Sequence, residues 1–128
     1  MDYERSSGIS IGGQEYEMLL TTKATKEIAK RYGGLSNLGE KLMKTENFEM
    51  ALDEVVWLIT LLANQSVLVH NLQNPSKKRE LLTEDIVELL TSPFELAEYK
   101  NAIMDAMYKG TKRHVESEDE PSKNAQVG

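Results

Sequence analysis

The chain has 128 residues, one domain's worth, with 15 Lys+Arg against 21 Asp+Glu, a formal net charge of -6 at pH 7, and only 6% aromatic residues. An acidic balance of that kind argues against general nucleic-acid binding, which draws on a surplus of Lys and Arg to neutralise phosphates. The absence of cysteine excludes disulfides, thiolate zinc sites, iron–sulfur clusters and cysteine nucleophiles.

The opening residues, Met1-Asp2-Tyr3-Glu4-Arg5, are polar and mixed in charge and do not read as a signal peptide. The longest apolar run, Val55 to Ala63 interrupted by Thr60, has nine residues, against the roughly 20 that span a bilayer. The expectation is a cytoplasmic protein with no membrane partner, its apolar run buried against protein.

Residues 8–20 alternate in strand fashion. Ile9 and Ile11 share one face, Gly12-Gly13 supplies a two-residue turn, and Tyr16, Met18 and Leu20 alternate along a second strand. A Gly-Gly pair between alternating runs predicts a hairpin, because primed turns need positive φ at both central positions.

From Thr22 to Lys109 the pattern becomes helical. Thr22 is placed to cap a helix carrying Ala24, Ile28, Ala29 and Tyr32, with Gly33-Gly34 as its stop, and Ser36 to cap a short helix with Leu38 and Leu42. Asn47 is expected to begin the longest element, in which Phe48, Leu52, Val55, Ile59 and Leu62 recur at steps of three and four. A second stripe, Trp57, Leu61, Leu68 and Leu72, runs beside it, so this helix should be central to the fold or to an interface. Asn74-Pro75-Ser76 breaks the pattern, Lys77-Lys78-Arg79 is the one dense basic run, and Thr83 opens a short amphipathic helix with Ile86, Val87, Leu89 and Leu90. Ser92-Pro93-Phe94-Glu95 is a capping box with Pro at the first helical position. Its helix holds Leu96, Tyr99, Ile103, Met107 and Tyr108, and Gly110 is placed to end it.

Residues 111–128 contain Glu116-Ser117-Glu118-Asp119-Glu120 and too little apolar surface to offset their ordering entropy. The reading is therefore a mainly α (α+β) domain over residues 1–110: an N-terminal β-hairpin, about five helices with one long and central, and a disordered acidic tail over residues 111–128. The tail holds three Lys+Arg and four Asp+Glu, so -5 of the net -6 belongs to the folded body.

No catalytic, cofactor or metal site is expected. His70 and His114 lie far apart, the acidic run lacks the alternating ligands and glycine of a calcium loop, and no serine sits in a nucleophile elbow. Adjacent carboxylates such as Asp53/Glu54 and Glu84/Asp85 diverge by about 100° around a helix.

The run Ile9-Ser10-Ile11-Gly12-Gly13-Gln14-Glu15-Tyr16, then Met18-Leu19-Leu20-Thr21, then a helix ending Arg31-Tyr32-Gly33-Gly34 resembles the opening of tail assembly chaperones of long-tailed bacteriophages and prophages. A short Leu-bearing helix and a long helix with a central Trp follow in that family, matched here by Leu38, Leu42 and Trp57. The similarity covers about Ile9 to Leu72.

The resemblance implies a non-enzymatic protein of the host bacterial cytoplasm. Such a protein binds and solubilises the tape measure protein, promotes tail tube assembly around it and is absent from the mature virion. It further implies contact with the tail tube protein through a longer product of programmed frameshifting, for which Ser122-Lys123-Asn124 could be encoded by a slippery run. The partner-binding residues expected are Trp57, Leu61 and Leu68 of the long helix, with Met104 and Met107 of the last helix as a second wall. The same apolar helix could serve a homo-oligomer interface. The alternative is a small helical regulatory or interaction protein, of the DNA-binding regulator or antitoxin type. Against it stand the net charge and the lack of Lys or Arg from Phe48 to Ser76.

Overall fold

A computed structural model describes residues 6–44 and 48–109. Strands β1 (Ser6–Ile11) and β2 (Gln14–Leu19) form an antiparallel hairpin. Helices α1 (Thr22–Tyr32), α2 (Leu35–Lys44), α3 (Phe48–Gln73) and α4 (Glu84–Leu90) follow, and a last helix, α5, covers residues 93–109. This is the expected mainly α architecture, with a two-stranded hairpin leading about five helices around one long one.

The hairpin register pairs Ile9 with Tyr16 and Ile11 with Gln14 across a turn in which Gly12 and Gly13 have φ of 60° and 82°. Ile9, Ile11, Tyr16 and Met18 are buried on the face turned toward α3, while Gly8, Ser10 and Glu15 stay outside. Gly12 also lies against α4: a Cβ built there would come within 2.8 Å of Leu90 Cδ1. Gly12→Ala is therefore expected to cost about 1–2 kcal/mol through its left-handed φ, with Leu90 shifting as well. A thermal melt reads this as a drop of roughly 4–8 °C per kcal/mol for a domain of this size.

The helix boundaries follow from local hydrogen bonds. Thr21 caps α1, its Oγ1 accepting from Ala24 N at 3.0 Å; the expected cap, Thr22, is instead the first helical residue. Gly33 closes α1 at φ 88°, its N–H donating to Ala29 O at 2.8 Å. The glycine pair then hands the chain directly to α2, which begins at Leu35, so Ser36 sits within its first turn rather than at its cap. The predicted helix start at Asn47 lies outside the described residues, as do Gly110 and the expected tail. Thr83 caps α4 through Ile86 N (3.1 Å). The Ser92–Glu95 box is reciprocal: Glu95 N donates to Ser92 Oγ at 3.2 Å and Ser92 N to Glu95 Oε1 at 2.9 Å.

Helix α3, about 39 Å long at 1.5 Å per residue, is the axis of the core. Val55, Val56, Leu58, Ile59, Leu62, Ala63 and Val67 are buried on it, β2 packs along it, and Ile28, Leu38, Val87 and Ile103 close the cluster from α1, α2, α4 and α5. Not every predicted apolar position is used. Leu72 and Tyr108 are 84% and 64% exposed, and Ala29 faces solvent: none of the described elements covers them.

By length and composition the 22 residues Leu52–Gln73 suffice to cross a bilayer, so the nine-residue run understates the apolar length of α3. In the structure 44% of the most apolar window is buried within the protein. Its polar side chains are engaged internally too. Buried Gln65 donates to Leu61 O at 3.1 Å and accepts from the Thr21 hydroxyl, while Thr60 and Ser66 donate to Val56 O and Ala63 O.

Candidate functional site

Three polar or apolar constellations stand out. The first joins α1, α2 and α3. Glu54, only 7% exposed, receives the Tyr32 hydroxyl, Arg31 Nε at 3.3 Å and Lys41 Nζ at 3.0 Å. The Arg31 guanidinium lies 4.5 Å from the Trp57 ring centre, and the Tyr32 ring meets Trp57 edge-on with centroids 5.9 Å apart. Burial pushes the Glu54 carboxyl up, but the Tyr32 and Lys41 hydrogen bonds and the two cations outweigh it and hold the carboxyl below its ordinary value. Burial and then Glu54 push the Tyr32 phenol well above its own. Each of these groups is bonded to another of the same cluster, so the arrangement locks three helices together.

The second is a strap. Residues 78–83, in neither helix nor strand, return along α3, held by side chain to main chain bonds. Asn64 donates to Leu82 O at 2.8 Å and accepts from Leu82 N at 2.7 Å. Asn71 does the same with Arg79, at 3.0 and 2.8 Å, and His70 Nε2 lies 2.9 Å from Lys77 O. The Lys77-Lys78-Arg79 run thus leads from the turn after α3 into the strap, its Lys side chains exposed and the Arg79 guanidinium 5.2 Å from the Tyr16 ring centre.

The strap bears on the predicted partner-binding residues. Trp57, Leu61 and Leu68 fall within about 40° of one another around α3, on the arc that also carries Asn64 and Asn71. All three are half-buried, with Trp57 and Leu61 packed against the core. The face predicted to hold a partner therefore carries the side chains that hold the chain's own strap. Met104 is half-buried against the core, and Met107, 7% exposed, is a core residue.

The third constellation is the exposed apolar surface. Leu89 (83% exposed), Phe94 (75%), Leu90 (50%) and Ile86 (37%) lie on α4 and the first turn of α5. At about 100° per residue, Leu89, Ile86 and Leu90 occupy one continuous arc of α4. Val87, the helix's buried residue, lies about 60° beyond Leu90, at the inward edge of that arc. Next to the arc come Asp85, Glu88 and Glu84. Glu88 also lines a cavity of about 350 Å³ whose walls include Leu52, Val56, Pro93 and Leu96 and whose other carboxylate is Asp53. The sequence signal was present. Four apolar residues of a seven-residue helix span about 160°, wider than one contact with a core can bury.

No group of three or more His, Cys, Asp or Glu among the described residues is arranged to hold a metal ion. No family model, curated protein or solved structure matches this chain. The functional reading accordingly rests on the residues themselves and on the resemblance described above.

Proposed function

We propose that the chain is a tail assembly chaperone of a long-tailed bacteriophage or prophage. In this reading it works in the host bacterial cytoplasm, binds the tape measure protein, keeps it soluble while tail tube subunits polymerise around it, and leaves before the virion is complete. A longer frameshifted product would bring in the tail tube protein. The Gly12-Gly13 hairpin, the Tyr32-Gly33 helix end and the central Trp57, on which the resemblance rests, each have a defined structural part, which supports the reading without being specific to it.

The observation that carries the proposal is the outward apolar arc of α4 with Phe94. Large apolar side chains left in water on consecutive elements are characteristic of surfaces that another protein covers. A long helical client offers matching apolar stripes.

Co-expression of the tape measure protein with the full chain is expected to move the client into the soluble fraction and to yield a complex on affinity purification. A Leu89→Glu, Phe94→Glu double variant, altered only at exposed positions, should fold normally by circular dichroism yet recover roughly a tenth of the client. A client equally soluble without the chain, or equally recovered by the variant, would sink the proposal. Salt-dependent binding to duplex DNA with no effect on the client would favour the regulatory alternative instead.

A further inference from the structure

From the charge around the α4 arc we infer that this surface receives a basic amphipathic helix: apolar along one stripe, with Lys or Arg on the flank beside it. The inference rests on the reading of the chain as a binder of helical clients and narrows which segment of a client is bound.

Residues 80–99 contain six carboxylates and no Lys or Arg, although the whole chain carries 15 basic residues. Glu27, Glu54 and Asp105 each have a Lys or Arg partner, whereas Glu84, Asp85 and Glu88 form no ion pair among the described residues. All three are exposed, and they border the Leu89–Ile86–Leu90 arc along one side. A surface helix would ordinarily turn its carboxylates outward and its leucines inward. Here both face water, side by side, over about two thirds of the circumference.

A partner helix laid along α4 would bury its apolar stripe on Leu89 and Ile86 and bring its flanking cations to Asp85 and Glu88. The cavity beyond Glu88 extends the match. Apolar walls from Leu52, Val56, Pro93 and Leu96 with carboxylates at Asp53 and Glu88 suit a long aliphatic side chain ending in a cation. An acidic or neutral helix would cover the same leucines but leave these carboxylates repelled or desolvated without compensation.

The test uses the full chain and labelled model peptides of roughly 18 residues, five helical turns: a Leu/Lys amphipathic helix, a Leu/Glu helix of the same pattern, and a scrambled Leu/Lys sequence without a stripe. Fluorescence anisotropy should show the patterned Leu/Lys peptide binding at least about tenfold more tightly than either other peptide. Leu89→Ser should weaken it about fivefold or more. Asp85→Lys with Glu88→Lys should abolish the preference for Lys over Glu, whereas Glu15→Lys with Glu17→Lys on the hairpin, an identical change in net charge, should leave it in place.

Equal binding of the Leu/Lys and Leu/Glu peptides overturns the inference, as does equal loss from the two charge-reversed variants. If that happens while the tape measure protein is still solubilised, the chaperone reading survives and only the chemistry of the bound segment is wrong. If the peptide preference holds but the client is not solubilised, the surface stands as a basic-helix site and the chaperone reading falls.

Discussion

Replacing Asn64 and Asn71 together with alanine is expected to lower the unfolding free energy by about 2–6 kcal/mol, from four side chain to main chain hydrogen bonds at a net 0.5–1.5 kcal/mol each. The reason is geometric. Seven residues of α-helix advance about 10.5 Å and three residues of extended chain about 10 Å. Two asparagines seven apart on α3 therefore meet residues 79 and 82 of the strap in the same relation, each amide presenting one donor and one acceptor to one residue's main chain. A segment in neither helix nor sheet has few other ways to satisfy these partly buried groups. The strap in turn seats Leu82 in the core, 7% exposed, and delivers Thr83 as the cap of α4.

Urea denaturation measures the energy, and amide exchange at Arg79 and Leu82 gives a residue-level check, because their N–H groups lose their acceptors in the double variant. Asn64→Asp sharpens the test: it keeps the acceptor for Leu82 N–H but turns a carboxylate toward Leu82 O, so it should cost about 1–3 kcal/mol although it changes one atom. A loss below about 0.5 kcal/mol, within the range of an ordinary surface substitution, would show that the strap is held by Leu82 alone.

What was legible in the sequence was what depends on near neighbours. The Gly12-Gly13 turn, the Thr83 cap and the Ser92–Glu95 box are each decided within four residues, and the structure has all three. The α1 cap was misplaced by one residue because Thr21 and Thr22 are chemically equivalent as caps. Their difference is that the Thr21 hydroxyl reaches Gln65, 44 residues away. The same limit hid the strap and the Glu54 cluster. Asn64 bonds across 18 residues and Glu54 receives Tyr32 across 22, and nothing local marks either residue as other than a polar position on an apolar helix. Trp57, Leu61 and Leu68 share one arc of α3 at helical spacing. That arc proved partly engaged because the two asparagines between them bind main chain, a role that side-chain hydropathy does not register. On α4, periodicity identified four apolar residues but could not say that the core would take only Val87.

Glu54→Gln is expected to cost about 1–3 kcal/mol near neutral pH, the loss of charge-assisted hydrogen bonds to a buried acceptor. The lower end applies to the part contributed by Arg31 and Lys41, which are 38% and 40% exposed and screened by water. The effect must depend on pH in a definite direction. The folded protein holds the Glu54 carboxyl below its ordinary value near 4.5, so at acidic pH the unfolded chain binds the proton more readily than the folded one. Stability from this site is then complete above the ordinary value and is lost as pH falls through the lower, folded one.

The gap between wild type and Glu54→Gln, read from urea midpoints across a pH series, should be constant at neutral pH and close progressively in acid, since protonated glutamic acid and glutamine are both neutral. Tyr32→Phe tests the cause rather than the residue. Removing the phenolic donor takes away the largest influence holding the carboxylate ionised, so the acid limb of the variant should begin at higher pH than that of the wild type. The alkaline side moves oppositely. The Tyr32 phenol is raised above its ordinary value near 10, so wild type should lose stability as pH rises past that value, and Tyr32→Phe should lack that part of the decline. An acid limb identical in wild type and Tyr32→Phe would mean that Lys41 and Arg31 alone hold the charge, and that the hydroxyl contributes packing against Trp57 and nothing more.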